Sequence, residues 1–189
     1  MTDFARLMSD YFVKYLAGQK GSGSNTMKTY RDTFVQLLEF MDEKKHIRAD
    51  CIEVDSFSYD IINEFLEYLE KEKRVSISTR NNRLAAIRSF FKYTGYHEPK
   101  YLNISTSIRE ISKKKTEGRQ MNYLSVNAME HFLNSFDKTD HKELRCFCIV
   151  LLLYESGARV TELCNVRRYD LHLEKPYTMI LHGKGDKIR

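Results

Sequence analysis

Residues 151–171 read LLLYESGARVTELCNVRRYDL. An apolar run ends at Gly157, a second apolar-spaced segment opens at Val160, and Arg159 stands between them. The spacing predicts a helix over 142–155 buried nearly all round, a turn at Gly157, and a short helix through Val160, Leu163 and Val166. A guanidinium is always charged, and burying it without a partner is costly. Two arrangements satisfy it. Arg159 pairs with Glu155 or Glu162, each within a helical turn, and the pair is structural. Or the bend presents Arg159 to an anionic ligand, whose oxygens match the planar fork of donors, with Glu162 orienting the fork.

The next segment, YTMILHGKGDKIR at 177–189, reads as a strand, a Gly-flanked tight turn and the start of a return strand. Lys184 sits between Gly183 and Gly185. It is either an ordinary solvated hairpin lysine or a mobile donor whose proton is available if its pKa is lowered. A half-strand leaves backbone groups unpaired, so the second unit is expected to be incomplete and the chain to be the front portion of a longer protein.

Upstream, residues 3–18 carry Phe4, Leu7, Met8, Tyr11, Phe12 and Tyr15 on one helical stripe. GQKGSGSN at 18–25 breaks it, with Ser24 or Asn25 as the next cap. A second helix shows Met27, Tyr30, Phe34, Leu37, Leu38 and Met41; a third holds Ile62, Phe65, Leu66 and Leu69. A fourth, from Ser76 or Ser78, holds Leu84, Ile87 and Phe91 and is expected to stop at Gly95 before a Pro99-containing loop. SIREISKKKTEGRQMNY at 107–123 reads as a basic linker, either a solvated tether or a strap along a phosphate backbone. Ser125 caps a further helix with Met129, Phe132, Leu133 and Phe136.

The formal net charge of +5 over 189 residues fits an anionic partner but does not demand one. Cys51, Cys146, Cys148 and Cys164 form no Cys-x-x-Cys pair and are expected to be buried free thiols in a reducing compartment. The longest apolar run, near 147–154, is far short of the roughly 20 residues that span a bilayer, and the N-terminus carries early charges. The expected location is cytoplasmic, without membrane association.

LLLYESGARVTELCNVRRYDLHL, followed by ILHGKGDKIR, resembles the tyrosine recombinase (phage integrase) family, with its Arg-containing box, Asp-containing turn and Gly-Lys-Gly hairpin. SNTMKTYRDTFVQLLEFM is similar to the family's second-helix pattern, with Thr26 and Tyr30 at the matching spacing. SISTRNNRLAAIRSFFKYTGY resembles its fourth core-binding helix, and YLSVNAMEHFL the opening of its catalytic domain. The box reads Ser-Gly-Ala-Arg where Leu is common before Arg.

The resemblance implies a mainly α chain. A four-to-five-helix core-binding (SAM-like) domain would occupy 1–107, a basic linker 108–122, and a truncated α+β catalytic domain ending in a β-hairpin 123–189. It implies a DNA clamp that cleaves and rejoins duplex DNA through a 3′-phosphotyrosine, in integration, excision or transposition of a mobile element or in chromosome resolution. It implies a monomer in solution, a tetramer on DNA, and no metal, ATP or other cofactor. By position, Arg159 would hold the non-bridging oxygens, Lys184 would protonate the leaving 5′-oxygen, and Glu162 would support the site. The family's His-x-x-Arg box and nucleophilic tyrosine have no match here, so the chain alone is expected to bind DNA without cleaving it. Lys28 and Arg31 on the second helix, Thr79, Arg80, Asn82 and Arg83 on the fourth, and Lys113, Lys114 and Lys115 in the linker are the candidate DNA contacts. Along the fourth helix Thr79, Asn82, Ala86 and Ser89 share a small polar face, set either on a groove or against a sister helix. Two other readings are a stand-alone DNA-binding remnant or regulator and a helical protein-interaction module.

Overall fold

The computed structural model describes residues 1–116, 118, 122–183 and 187–189. The chain divides into two compact units, Met1–Gly118 and Arg119–Arg189. It is mainly helical, with one small antiparallel sheet in the second unit.

The first unit is built from five helices. Thr2 accepts from the Ala5 N–H and starts α1 (Asp3–Asp10), which widens into a π-helical stretch, Tyr11–Gln19. The glycine-rich break follows, and then α2 (Ser24–Lys45). Two 3-10 turns, Ala49–Cys51 and Val54–Ser56, lead to α3 (Tyr59–Lys71), capped by Ser58. Ser76 caps α4 (Ile77–His97) through the Thr79 N–H.

The α1 stripe points inward as its spacing requires: Phe4, Leu7 and Tyr11 are buried, with Met8, Phe12 and Tyr15 packed beside them. They meet Phe34, Phe57, Phe90 and Phe91 in edge-on and tilted ring contacts with centroids 5.1 to 6.0 Å apart. Each fully buried side chain of this size contributes about 1.5–3 kcal/mol. The aromatic cluster, together with the aliphatic side chains buried beside it, is therefore the main source of this unit's stability.

Three features of this unit differ from the sequence reading. The cap of α2 is Gly23, without a side-chain hydrogen bond, and Ser24 is the helix's first residue rather than its cap. The fourth helix does not stop at Gly95 but runs through it to His97. The segment read as loop and linker forms a 3-10 turn, Pro99–Tyr101, and α5 (Leu102–Glu110). Ile108 and Ile111 are fully covered by the core. Their spacing with Ile104 is helical, but the surrounding Ser, Arg and Lys residues hid it.

Gly95 explains why α4 and α5 lie so close. A Cβ at this position would fall 2.6 Å from the Cβ and Oγ of Ser105, whose hydroxyl donates to the Phe91 carbonyl at 2.6 Å. Glycine inside a helix ordinarily costs about 1 kcal/mol relative to alanine. Here the sign reverses. Gly95→Ala is expected to destabilise the unit by about 1–3 kcal/mol through overpacking, read as a lower urea midpoint.

The second unit holds α6 (Val126–Asn134), capped by Ser125, then α7 (His141–Ser156), capped by Asp140, and the short α8 (Val160–Cys164). A 3-10 turn, Arg168–Asp170, precedes β1 (Leu171–His172), which pairs antiparallel with β2 (Thr178–Met179). Beyond β2 the chain forms the expected hairpin arms: Leu181 and Arg189 exchange backbone hydrogen bonds at 2.8 and 3.2 Å, and His182 bridges Ile188.

The helix expected to be buried nearly all round is not. Leu144, Ile149, Leu152 and Tyr154 are exposed, Tyr154 by 47%, because the described residues of this unit cover only part of α7. Phe136 packs on Phe132 and Phe147, and that is the aromatic contact this helix makes. The cysteines depart in the same way. All four are free and exposed rather than buried, two of them on α7. No helix among the described residues is long and apolar enough to cross a membrane.

Candidate functional site

The bend after α7 follows from local sequence. Gly157 takes the left-handed conformation, φ 58°, and its N–H returns to the Leu153 carbonyl. That conformation carries no steric penalty for glycine and ends the helix. Arg159 then occupies the N-cap of α8. Glu162, three residues on, reaches back: its Oε2 accepts from the Arg159 N–H at 3.0 Å, as the acidic half of a capping box. Its Oε1 accepts from Arg159 Nη1 at 2.6 Å.

The first alternative for Arg159 is realised through Glu162. Arg159 pairs with Glu162, not Glu155, yet its side chain is 74% exposed while that of Glu162 is 4% exposed. The carboxylate lies beneath and the guanidinium faces outward. A third donor completes Glu162, because Arg189 Nη2 lies 2.7 Å from Oε2 and 3.2 Å from the Gly157 carbonyl. These donors pull the Glu162 carboxyl from its ordinary 4.5 down to about 2, first through the Arg159 backbone N–H, then its guanidinium, with Arg189 adding to both.

Arg159, Glu162, Gly183, Lys187, Ile188 and Arg189 line a cavity of about 480 Å³. Three cationic side chains surround one buried carboxylate, so the cavity suits an oxyanion. Lys184 lies outside the described residues. Sequence reasoning missed Arg189 and Lys187. The available signal was strand pairing, which sets residue 189 opposite 181.

A second buried carboxylate holds the base of the hairpin. Asp170 accepts from the Arg167 N–H at 2.8 Å and meets His182 Nε2 at 3.0 Å. His182 first, then that N–H, lowers its pKa below the ordinary 3.8. Among the described residues no group of three or more His, Cys, Asp or Glu is placed to hold a metal ion.

In the first unit the candidate DNA contacts separate into two groups. Lys28, Arg31 and Asn82 are exposed, and so are Lys113, Lys114 and Lys115. Arg80 is 5% exposed, 3.3 Å from Glu70, and donates to the Ser112 carbonyl at 3.1 Å. It anchors the segment after α5 rather than facing solvent. Lys114 is held too: its Nζ pairs with Glu70 at 2.7 Å, and the Asn81 side chain bonds its backbone N–H and carbonyl at 3.1 and 2.8 Å. Arg83 is half-buried and spans to α2, donating to the Thr29 carbonyl and Thr33 Oγ1. Thr79 shares the Ser76 cap. The small polar face is not wholly open: Ala86 is buried and Ser89 accepts from the Tyr11 hydroxyl at 2.8 Å.

Residues 10–99 match the phage integrase N-terminal SAM-like domain. The whole chain resembles y4rC of Sinorhizobium fredii, whose name assigns it to the integrases/recombinases, at 28% identity over 98% of this chain and 56% of that protein. It resembles the tyrosine recombinase XerC of Staphylococcus aureus at 27% identity over 96% of this chain and 57% of that protein. The chain therefore spans little more than half the length of these relatives. A crystal structure of the XerH site-specific recombinase bound to palindromic difH substrate, in a post-cleavage complex, shares the fold with a TM-score of 0.64. Its identity is 23%, over 96% of this chain and 52% of that one. In sequence the chain is similar to the tyrosine recombinases, and its first unit to their N-terminal SAM-like domain.

Two predictions follow from this geometry. Removing Glu70 strands the buried guanidinium of Arg80. Glu70→Ala is expected to cost about 3 kcal/mol in urea unfolding, whereas Lys28→Ala stays within about 0.5 kcal/mol. The Glu162 contribution depends on pH. Its folded pKa is depressed, so its stabilisation is present above 4.5 and is lost as pH falls toward about 2. An acid titration followed by NMR at Glu162 is expected to show that window, and Glu162→Gln to abolish it.

Proposed function

We propose that this chain is the front portion of a site-specific tyrosine recombinase or integrase. The full protein would bind, cleave and rejoin double-stranded DNA through a 3′-phosphotyrosyl intermediate. The observation that carries this reading is the outward guanidinium of Arg159 set on the buried Glu162 within a cationic cavity. A scissile phosphate gathers negative charge on its non-bridging oxygens as a nucleophile attacks. A guanidinium fixed beforehand stabilises that charge without reorganising. Glu162 supplies the fixing. A tyrosine hydroxyl gives up its proton to a general base and attacks phosphorus, the bond to the 5′-oxygen breaks, and Lys184 gives that oxygen a proton.

In this reading the nucleophile lies outside the twelve tyrosines of this chain, none of which matches the family's catalytic tyrosine by position. No tyrosine is among the residues lining the Arg159 cavity, and Tyr11 and Tyr101 are buried in the first unit. On this reading the chain by itself binds DNA and does not cut it. In the first unit Lys28 and Arg31 of α2 and Asn82 of α4 present the exposed polar groups for the duplex, joined by Lys113, Lys114 and Lys115. Backbone contacts of this kind give salt-dependent affinity rather than sequence choice. The protein works as a monomer in solution and a tetramer on DNA, in the cytoplasm, with no metal or other cofactor.

The test uses the 189-residue chain and a protein extended to the length of its relatives, each with a nicked duplex carrying the recombination site. The chain is expected to bind with salt-sensitive affinity and to form no covalent adduct. Lys28→Ala and Arg31→Ala should each flatten the salt slope by about one unit. The extended protein is expected to form the adduct, and Arg159→Ala to slow it by roughly 10²–10³-fold. An adduct from the chain alone, or full cleavage by the Arg159→Ala protein, overturns the reading.

A further inference from the structure

The hairpin arms, residues 181–183 and 187–189, are held to the rest of the second unit by two buried carboxylates. Asp170 meets His182, and Glu162 meets Arg189. Apolar burial adds little, because Leu181 is the one buried hydrophobic residue among the described residues of this unit. A two-stranded hairpin is marginal in water by itself. Its position must therefore come from charge-assisted hydrogen bonds.

Of the two anchors, Arg189 is the one that reaches the bend. Its Nη2 contacts both Glu162 Oε2 and the carbonyl of Gly157, two residues before Arg159. Its backbone is paired with Leu181 through both N–H and carbonyl, so the guanidinium is carried on a fixed strand position. The hairpin backbone also comes close to the same carboxylate. A Cβ at Gly183 would stand 3.3 Å from Glu162 Oε1 and 3.2 Å from the Lys187 carbonyl. Glu162 thus takes Arg159 on one side and the hairpin on the other.

We propose that Arg189 is a positioning residue, a latch that holds the hairpin arms against the 157–162 bend and, through Glu162, sets the direction of the Arg159 guanidinium. The latch stands on this geometry alone. Its consequence for a bound anion rests on the reading of Arg159 as a phosphate ligand. Without Arg189, Glu162 Oε2 keeps only the Arg159 N–H among the described residues, and no other described side chain of the hairpin arms reaches the Gly157 carbonyl.

The experiment compares the 189-residue chain with its Arg189→Ala and Arg189→Lys variants. Amide exchange is read by segment, and Glu162 and Arg159 side-chain NMR signals are followed against pH and inorganic phosphate. In Arg189→Ala the Gly183 amide is expected to exchange at least about tenfold faster while 141–156 is unchanged. The Glu162 midpoint should rise, because a donor to its charged form is gone. Arg189→Lys should retain part of both effects. Should Arg189→Ala lose protection across α7, Arg189→Gln carries the same comparison. Unchanged Gly183 exchange overturns the latch, and an unmoved Glu162 midpoint overturns action through Glu162. Phosphate is expected to shift the Arg159 signals, with affinity about fivefold weaker in Arg189→Ala. If phosphate leaves wild-type Arg159 unmoved, the anion-binding reading fails, and the exchange data alone decide the latch.

Discussion

A carboxylate almost wholly removed from water needs a donor for each oxygen, and Glu162 has three such contacts: the Arg159 N–H, the Arg159 guanidinium and the Arg189 guanidinium. Burying it with fewer would cost several kcal/mol. That requirement organises the second unit. It caps the short helix, turns the Arg159 side chain outward and draws the hairpin to the bend. Asp170 repeats the arrangement at the hairpin's base with a backbone N–H and a histidine. Two carboxylates and one leucine make up the buried set among the described residues of this unit, so its shape is decided more by polar satisfaction than by apolar packing.

The first unit follows the opposite logic. Its interior is a continuous aromatic and aliphatic cluster, and its polar contacts lie at the margins. Arg83 ties α4 to α2, and Arg6 and Lys100 tie α1 to the turn before α5. Glu70 sits between Arg80 and Lys114 and fixes the chain just after the last helix. The start of the connecting segment is therefore strapped down through Lys114, although its composition alone reads as a free tether.

The two units are thus ordered differently, the first by a packed apolar core and the second by hydrogen-bonded charges. The packed core holds α2 in place, with Lys28 and Arg31 exposed on it. A guanidinium held by hydrogen bonds, in contrast, keeps its remaining donors for an anion. The same interaction that stabilises Arg159 leaves it available.

Much was legible in the residues. The stripes of α1 to α4, the Ser76 and Ser125 caps and the Gly157 bend follow from local chemistry that one segment carries by itself. So did the pairing of Arg159 with Glu162, because three residues separate them. What was not legible depended on partners distant in sequence. Arg80 looked like a surface cation, yet it is buried by residues 32 positions away. Gly95 looked like a helix stop until Ser105 came to rest against it. The apolar run of α7 looked like core, but burial requires neighbours on every side, and sequence periodicity counts only the faces. Arg189 carried no local sign of its role, since only hairpin closure brings it to Glu162, 27 residues earlier. Local sequence determined which elements form and where they end. Tertiary structure decided which charges are anchors and which remain free, because that depends on donors and acceptors that meet only after the chain has folded.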